Sequence, residues 1–105
     1  MQVKIKNKTA VIEFEDNRDS AGHAEVMRSI VRLLDEDFRK FVFDFKHVTI
    51  SFNSGISGFL IVTVKKIVEC GAAVVISNIN EDDMLMIKMV GLDDIDCTNT
   101  KIIYE

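Results

Sequence analysis

A change of hydrophobic period, repeated along the chain, constrains the fold more than any other feature. Val3 and Ile5 alternate with Gln2, Lys4 and Lys6; Asn7-Lys8 marks a turn; Ala10, Ile12 and Phe14 then alternate with Val11, Glu13 and Glu15. Two period-two runs around a short polar turn predict a β-hairpin. From Ala21 the period lengthens. Ala24, Met27, Ile30, Val31, Leu34 and Phe38 fall at helical spacing, with Glu25, Arg28, Ser29, Arg32, Asp35 and Glu36 on the other side, which predicts an amphipathic helix. Phe41-Val42-Phe43-Asp44-Phe45 then returns to a short run of strand-preferring residues. Asp44, near the end of that run, suggests a local hydrogen-bonding role rather than a buried free charge.

The segment from Ser54 to Glu69 sets propensity against period. Phe59-Leu60-Ile61-Val62-Thr63-Val64 would suit a buried strand, but the length and the spacing of Ile56, Phe59, Leu60, Thr63, Val64 and Ile67 favour a helix stopped by Gly71. Ala73 to Ser77 reads as a strand. Asn80 is a good N-cap, with Glu81, Asp82 and Asp83 in the first turn of a helix from Met84 to Val90, which Gly91 ends. Lys101 to Tyr104 supplies a last strand. The order β-β-α-β-α-β-α-β implies an α/β fold, a mixed β-sheet with helices packed against it.

At 105 residues the chain suits a single domain spanning 1–105 with its own hydrophobic core. With 48% apolar residues, intrinsic disorder is not expected. A net charge of −4 and the lack of a lysine and arginine stripe argue against nucleic acid as a partner. Lys4, Lys6 and Lys8 read as a solvated strand edge. Cys70 and Cys97 match no metal or CxxC pattern, and no disulfide is expected of them. No basic leader precedes an apolar core. The longest apolar run, Phe59 to Val64 with one threonine, is far below the ~20 residues of a membrane span. The expectation is a soluble, cytoplasmic protein with no direct membrane insertion.

Catalytic chemistry finds little purchase. His23 and His47 have no partners at a triad or metal spacing. Gly55-Ile56-Ser57-Gly58 lacks the Gly-Lys-Ser/Thr of a P-loop, and there is no GxGxxG. Asp82-Asp83, Asp93-Asp94 and Asp96 lack calcium-loop spacing and suit capping or solvated roles. No catalytic residue, metal site or cofactor is expected, and an enzyme is not.

What remains is the polar stretch between the third strand and the helix that follows, Val48-Thr49-Ile50-Ser51-Phe52-Asn53-Ser54-Gly55-Ile56-Ser57-Gly58. Small hydroxyl, amide and glycine residues at a strand-to-helix junction can present a side-chain oxygen to a phosphate donor or a partner protein. Together with Phe41 to Phe45, Gly71 to Ile76 and Met89-Val90-Gly91-Leu92, this stretch resembles the STAS family, the anti-sigma factor antagonists, over nearly the whole chain. That family shows a strand ending in an Asp-leucine pair, then roughly Val-Thr-Phe-Ile-Asp-Ser-Ser-Gly-Leu, a helix, a Gly-started strand, another helix and a Gly-Leu pair. The resemblance implies a small cytosolic domain that binds a protein partner. In its switching members a loop serine is phosphorylated by an anti-sigma kinase, and the added charge of about −1.5 to −2 breaks the complex.

Laid on that pattern without a gap, the chain departs at the switch. Phe52 stands at the family's Asp and Asn53 at its phosphorylated Ser, whereas Ser54, Gly55 and Ile56 match. Asn53 cannot accept a phosphate. Three readings stay open: the loop Ser51, Phe52, Asn53, Ser54, Gly55 and Ser57 binds its partner constitutively; Ser54, or else Ser51 or Ser57, serves as acceptor; or the loop is only a helix start capped by Ser54 or Asn53. Ile61, Val62 and Val68 lie off the helix's main apolar face. Deeper burial explains them, and so would an exposed strip used for a partner or homodimer, extended by Met84, Met86 and Met89. The resemblance points to an anti-sigma factor or kinase-like regulator as partner. A subunit of a membrane (lipid) ABC transport complex is the alternative.

Overall fold

The computed structural model describes residues 2–15, 20–48, 54–89 and 102–104, and of residues 2, 20–22, 54–57 and 102–104 the backbone alone. Five strands, β1 (Gln2–Lys6), β2 (Thr9–Glu13), β3 (Lys40–Asp44), β4 (Ala73–Ser77) and β5 (Ile102–Tyr104), form one sheet in sequence order. Three helices, α1 (Ser20–Asp35), α2 (Ser54–Glu69) and α3 (Glu81–Met89), connect the last four strands. β1 pairs antiparallel with β2, and every later pairing is parallel. The mixed sheet and element order match the expectation.

The hairpin turn is two residues long, Asn7 and Lys8, both at positive φ (51° and 64°). Positive φ at both central residues gives the twist that two antiparallel strands require. Lys8 is held by donating to the Glu36 carbonyl at 3.1 Å and by its position 5.1 Å from the Phe38 ring centroid. Each later strand lies one place further across the sheet than the last. Right-handed crossovers in one direction put all three helices on one face. The core agrees: rows Ala10–Phe41–Val74 and Ile12–Phe43–Ile76 face Val26, Ile30 and Leu33 of α1, Leu60, Val64 and Ile67 of α2, and Ile87 of α3.

Period overrides propensity in α2. Leu60, Thr63, Val64, Ile67 and Val68 are buried, and Thr63 returns its hydroxyl to the Phe59 carbonyl at 2.7 Å. A strand would have exposed half of these side chains. The helix ends at Gly71 (φ 81°), where Ala72 N–H reaches the Ile67 carbonyl and Gly71 N–H that of Val68, a Schellman closure that needs the left-handed residue.

The face of α1 is rotated from its expected position. Val26, Ile30, Leu33 and Leu34 are buried, whereas Ala24 and Val31 are exposed. Apolar residues occupy two adjacent stripes of this helix, and the sheet selects the one carrying Val26 and Leu33. Among the off-face residues of α2, Val68 is buried, Ile61 is half-buried and Val62 is exposed. The expected stop at Gly91 and the residues Cys97, Asp93, Asp94 and Asp96 lie outside the described residues.

Candidate functional site

Because β2 to β5 run in one direction, their C-terminal ends and the N-termini of all three helices gather along one edge of the sheet. Ligands of open α/β sheets bind outside these strand ends where the strand order reverses, a reversal that this sheet does not have among the described residues. The centre of the edge is Asp44, the last residue of β3. One carboxylate oxygen, Oδ1, accepts the Lys46 N–H at 3.0 Å and the Asn78 side-chain amide at 2.9 Å. The local hydrogen-bonding role expected of Asp44 is what the structure has. Asn78 adopts positive φ (58°), which asparagine tolerates better than most residues, and this turns its amide toward Asp44.

The same contacts fix the root of the β3–α2 connection. Phe45 N–H donates to the Ser77 carbonyl at 3.0 Å, and Val48 N–H closes a turn onto the Phe45 carbonyl at 3.0 Å. The Phe45 ring stacks on Phe14 at 4.9 Å, and Phe14 meets Phe43 edge-on at 5.4 Å. At the far end of the connection Ser54 opens α2, whose first turns are joined to α1 by His23 stacked on Phe59, with centroids 4.4 Å apart. His23 thus holds the two helices together, a structural role.

Glu13 ends β2 beside Asp44 in the parallel register, placing two carboxylates on neighbouring strands. Lys46 Nζ lies 3.6 Å from a carboxylate oxygen of each. Lys4 Nζ reaches Glu13 at 2.7 Å, and His47 Nε2 approaches it at 3.4 Å. Lys4 is therefore more than a solvated edge residue. The hydrogen bond from Lys4 holds the Glu13 carboxyl below its ordinary 4.5; burial opposes this, and the Lys4, Lys46 and His47 charges reinforce it. Burial pushes Asp44 up, but the Asn78 amide, the Lys46 N–H and the Lys46 charge outweigh it and leave the group below 3.8. The hydrogen bond to Glu13 raises Lys4 above 10.5.

These shifts predict a pH profile with a definite sign. Carboxylates depressed by folding contribute stability that is present above 4.5 and 3.8, and lost as pH falls through the lower folded values. A raised lysine contributes stability below 10.5, lost as pH rises through its folded value. The urea midpoint should therefore hold a plateau through neutral pH and fall on both sides. In Glu13→Gln the acid limb should be shallower and the alkaline limb should flatten. An unchanged profile in that variant would show that the Lys4–Glu13 pair does not form.

Across the edge, Asn80 caps α3 reciprocally. Its Oδ1 accepts the Asp83 N–H at 2.8 Å and its amide donates to Asp83 Oδ2 at 3.0 Å. Asp83 is therefore a capping residue, as the sequence suggested. Phe45, Lys46, Val48, Asn78, Ile79, Asn80 and Asp83 line an open hollow of about 100 Å³. This lies well under the roughly 300–1,000 Å³ of a small-molecule pocket. No group of three or more metal-ligating side chains occurs among the described residues.

Of the loop singled out by sequence, Ser51, Phe52 and Asn53 lie outside the described residues. Ser54, Gly55 and Ser57 fall in the first turns of α2, where the backbone alone is described. The structure brings the root of this loop to the Asp44 hub and its end to the α2 N-terminus. Sequence reasoning passed over Glu13, Lys46 and Asn78. The hairpin register could have found Glu13, since counting outward from Asn7-Lys8 puts it opposite Gln2 and diagonal to Lys4.

A family model described as the STAS domain matches residues 1–103. Among solved structures, the NMR structure of the protein TM1081 superposes with a TM-score of 0.76 at 16% identity, covering 97% of this chain and 78% of that one. At that identity the likeness shows the fold alone. No curated protein matches the chain. STAS domains generally mediate protein–protein interaction and are generally non-enzymatic. No helix among the described residues is long and apolar enough to cross a membrane.

Proposed function

Because the chain belongs to the STAS domain family, we propose that it is a cytoplasmic, non-enzymatic regulatory module, a single domain over 1–105, that binds an anti-sigma factor or kinase-like regulator through the loop from Ser51 to Ser57. The observation that carries this reading is the pinned root of the loop. Asp44 ties β3, the Lys46 backbone and Asn78 together where the connection to that loop leaves β3. A binding segment held on a rigid scaffold loses less entropy when it engages a partner. The hollow beside it is too small for a typical small ligand, which favours a protein surface as the occupant.

Asn53 at the family's acceptor position makes the binding constitutive. A negative charge placed there should act as phosphate does in the switching relatives. Asn53→Asp is expected to weaken partner binding at least about tenfold, equivalent to about 1.4 kcal/mol, while Asn53→Gln leaves it within about twofold. The chain is tagged at its native level, captured with its partner, and the affinity of each variant is measured by titration calorimetry. A sigma-regulatory or kinase-like protein in the capture supports the proposal. Capture of an ABC transporter subunit instead would replace it with the transport role. Phosphopeptides at Ser51, Ser54 or Ser57 would replace constitutive binding with a displaced switch.

A further inference from the structure

Six large apolar side chains are exposed among the described residues, and all but Ile5 lie on helices. Met89 is 85% exposed, Val62 60% and Leu85 56%, with Met86 and Val31 less so. On α3, Asp82, Leu85, Met86 and Met89 follow i, i+3, i+4, i+7 spacing, so they form one outward stripe with an acidic head. On the neighbouring α2, Val62 is followed outward by Lys65 and Lys66. α2 and α3 pack together, and each carries the chain back against the common strand direction. Their N-termini therefore lie at the same end of the layer. The outer surface has acidic residues Glu81 and Asp82 at one end, Lys65 and Lys66 followed by the exposed Glu69 at the other, and apolar side chains between.

At about 1.5 Å rise per residue, Glu81 sits about 6 Å before Leu85 along its axis, and Lys66 sits about 6 Å beyond Val62. None of Lys65, Lys66, Glu81 and Asp82 forms an ion pair with a described residue. The four charges complement their own helix dipoles. Dipoles, however, do not account for thioether and isobutyl groups left in water between them.

We infer that this face is the interface of a two-fold homodimer, in which α2 and α3 of one copy lie antiparallel to those of the other. A two-fold axis perpendicular to the helices sets α2 against α2 and α3 against α3, and puts the Lys65–Lys66 end of each copy at the same end of the interface as the Glu81–Asp82 end of its partner, one helix across. An axis along the helices would oppose like charges, so the charge pattern selects the antiparallel arrangement. The N-termini of the two α2 helices then fall at opposite ends of the dimer. This inference is independent of what the loop from Ser51 to Ser57 binds.

The test is an obligate pairing. Lys65→Glu with Lys66→Glu makes the lysine end acidic, and Glu81→Lys with Asp82→Lys makes the acidic end basic. Sedimentation velocity over a concentration series should give the wild-type chain about twice its 11.9 kDa monomer mass. Each charge variant alone should remain a monomer, and the two mixed in equal amounts should recover the dimer. That recovery also demonstrates that both variants fold. Met89→Lys, a substitution at a solvent-facing position, should shift the dimer's dissociation constant upward at least tenfold with an unchanged circular dichroism spectrum. A wild-type monomer at every concentration overturns the inference, which would leave the stripe to a different protein. A dimer indifferent to Met89→Lys, or charge variants that fail to pair, overturns it equally.

Discussion

Phe43→Ala is expected to cost about 3–5 kcal/mol of folding stability. The Phe43 ring is fully buried, lies between Ile12 and Ile76 in the sheet register, and meets Phe14 edge-on. Truncation removes the transfer energy of the ring and leaves a cavity flanked by two neighbouring strands, whose hydrogen-bonded spacing limits collapse. Against a total of about 5–15 kcal/mol for a domain, this is a large share. In a domain of this size 1 kcal/mol moves the melting temperature by about 4–8 °C, so a drop of at least about 12 °C should appear in a thermal scan. Val42, beside it on the opposite face of the sheet, is half-buried, and Val42→Ala should cost much less. Equal losses for the two variants would show that the helices do not cover the Phe43 face.

Asp44→Ala is expected to cost about 1–3 kcal/mol, for a different reason. The side chain buries little apolar surface. Its removal strands two donors, the Lys46 N–H and the Asn78 amide, that meet at one oxygen. Asp44→Asn keeps an acceptor oxygen and gives up the charge, so it should lose less than Asp44→Ala. Both variants should have a shallower acid limb than the wild type, because the group whose carboxyl is depressed by folding is gone. Urea titrations at neutral and acid pH separate the two contributions. If Asp44→Asn is as damaging as Asp44→Ala at neutral pH, charge rather than hydrogen bonding holds the hub. Loss of the hub should also loosen the root of the β3–α2 connection, which hydrogen exchange at Lys46 and Val48 would report.

Periodicity, with the capping and stop residues, revealed most of the fold. The hairpin, the three helices and the order of elements along the chain are legible in these signals, whereas the order of the strands within the sheet came from the structure. α2 is the instructive case: Phe59 to Val64 has strand-like composition, yet burial at positions 60, 63, 64, 67 and 68 follows the helical repeat. α1 was harder because apolar residues at 26, 27, 30, 31, 33 and 34 populate neighbouring stripes. Only the sheet's position decides that Val26 and Leu33 go in and Val31 stays out. The site was legible as a location but not as a mechanism of support. Asp44 stood out as a charge inside an apolar strand. Glu13 did not, because an acid at the end of an alternating strand is ordinary until its neighbours across the sheet are known. Asn78 carried no signal at all; its role depends on a left-handed backbone and on a partner thirty-four residues away.

The agreement between strand order and chain order bears on how the molecule is made. Pairing links Ala10 to Phe41, Phe41 to Val74 and Val74 to Ile102, so each closure spans about 30 residues and carries a similar, modest entropic cost. No strand has to be inserted between two that have already paired. A chain leaving the ribosome at about 5–20 residues per second can therefore add each βα unit to an edge that is already formed. The hairpin emerges first and provides that edge, and the sheet grows in the direction of synthesis.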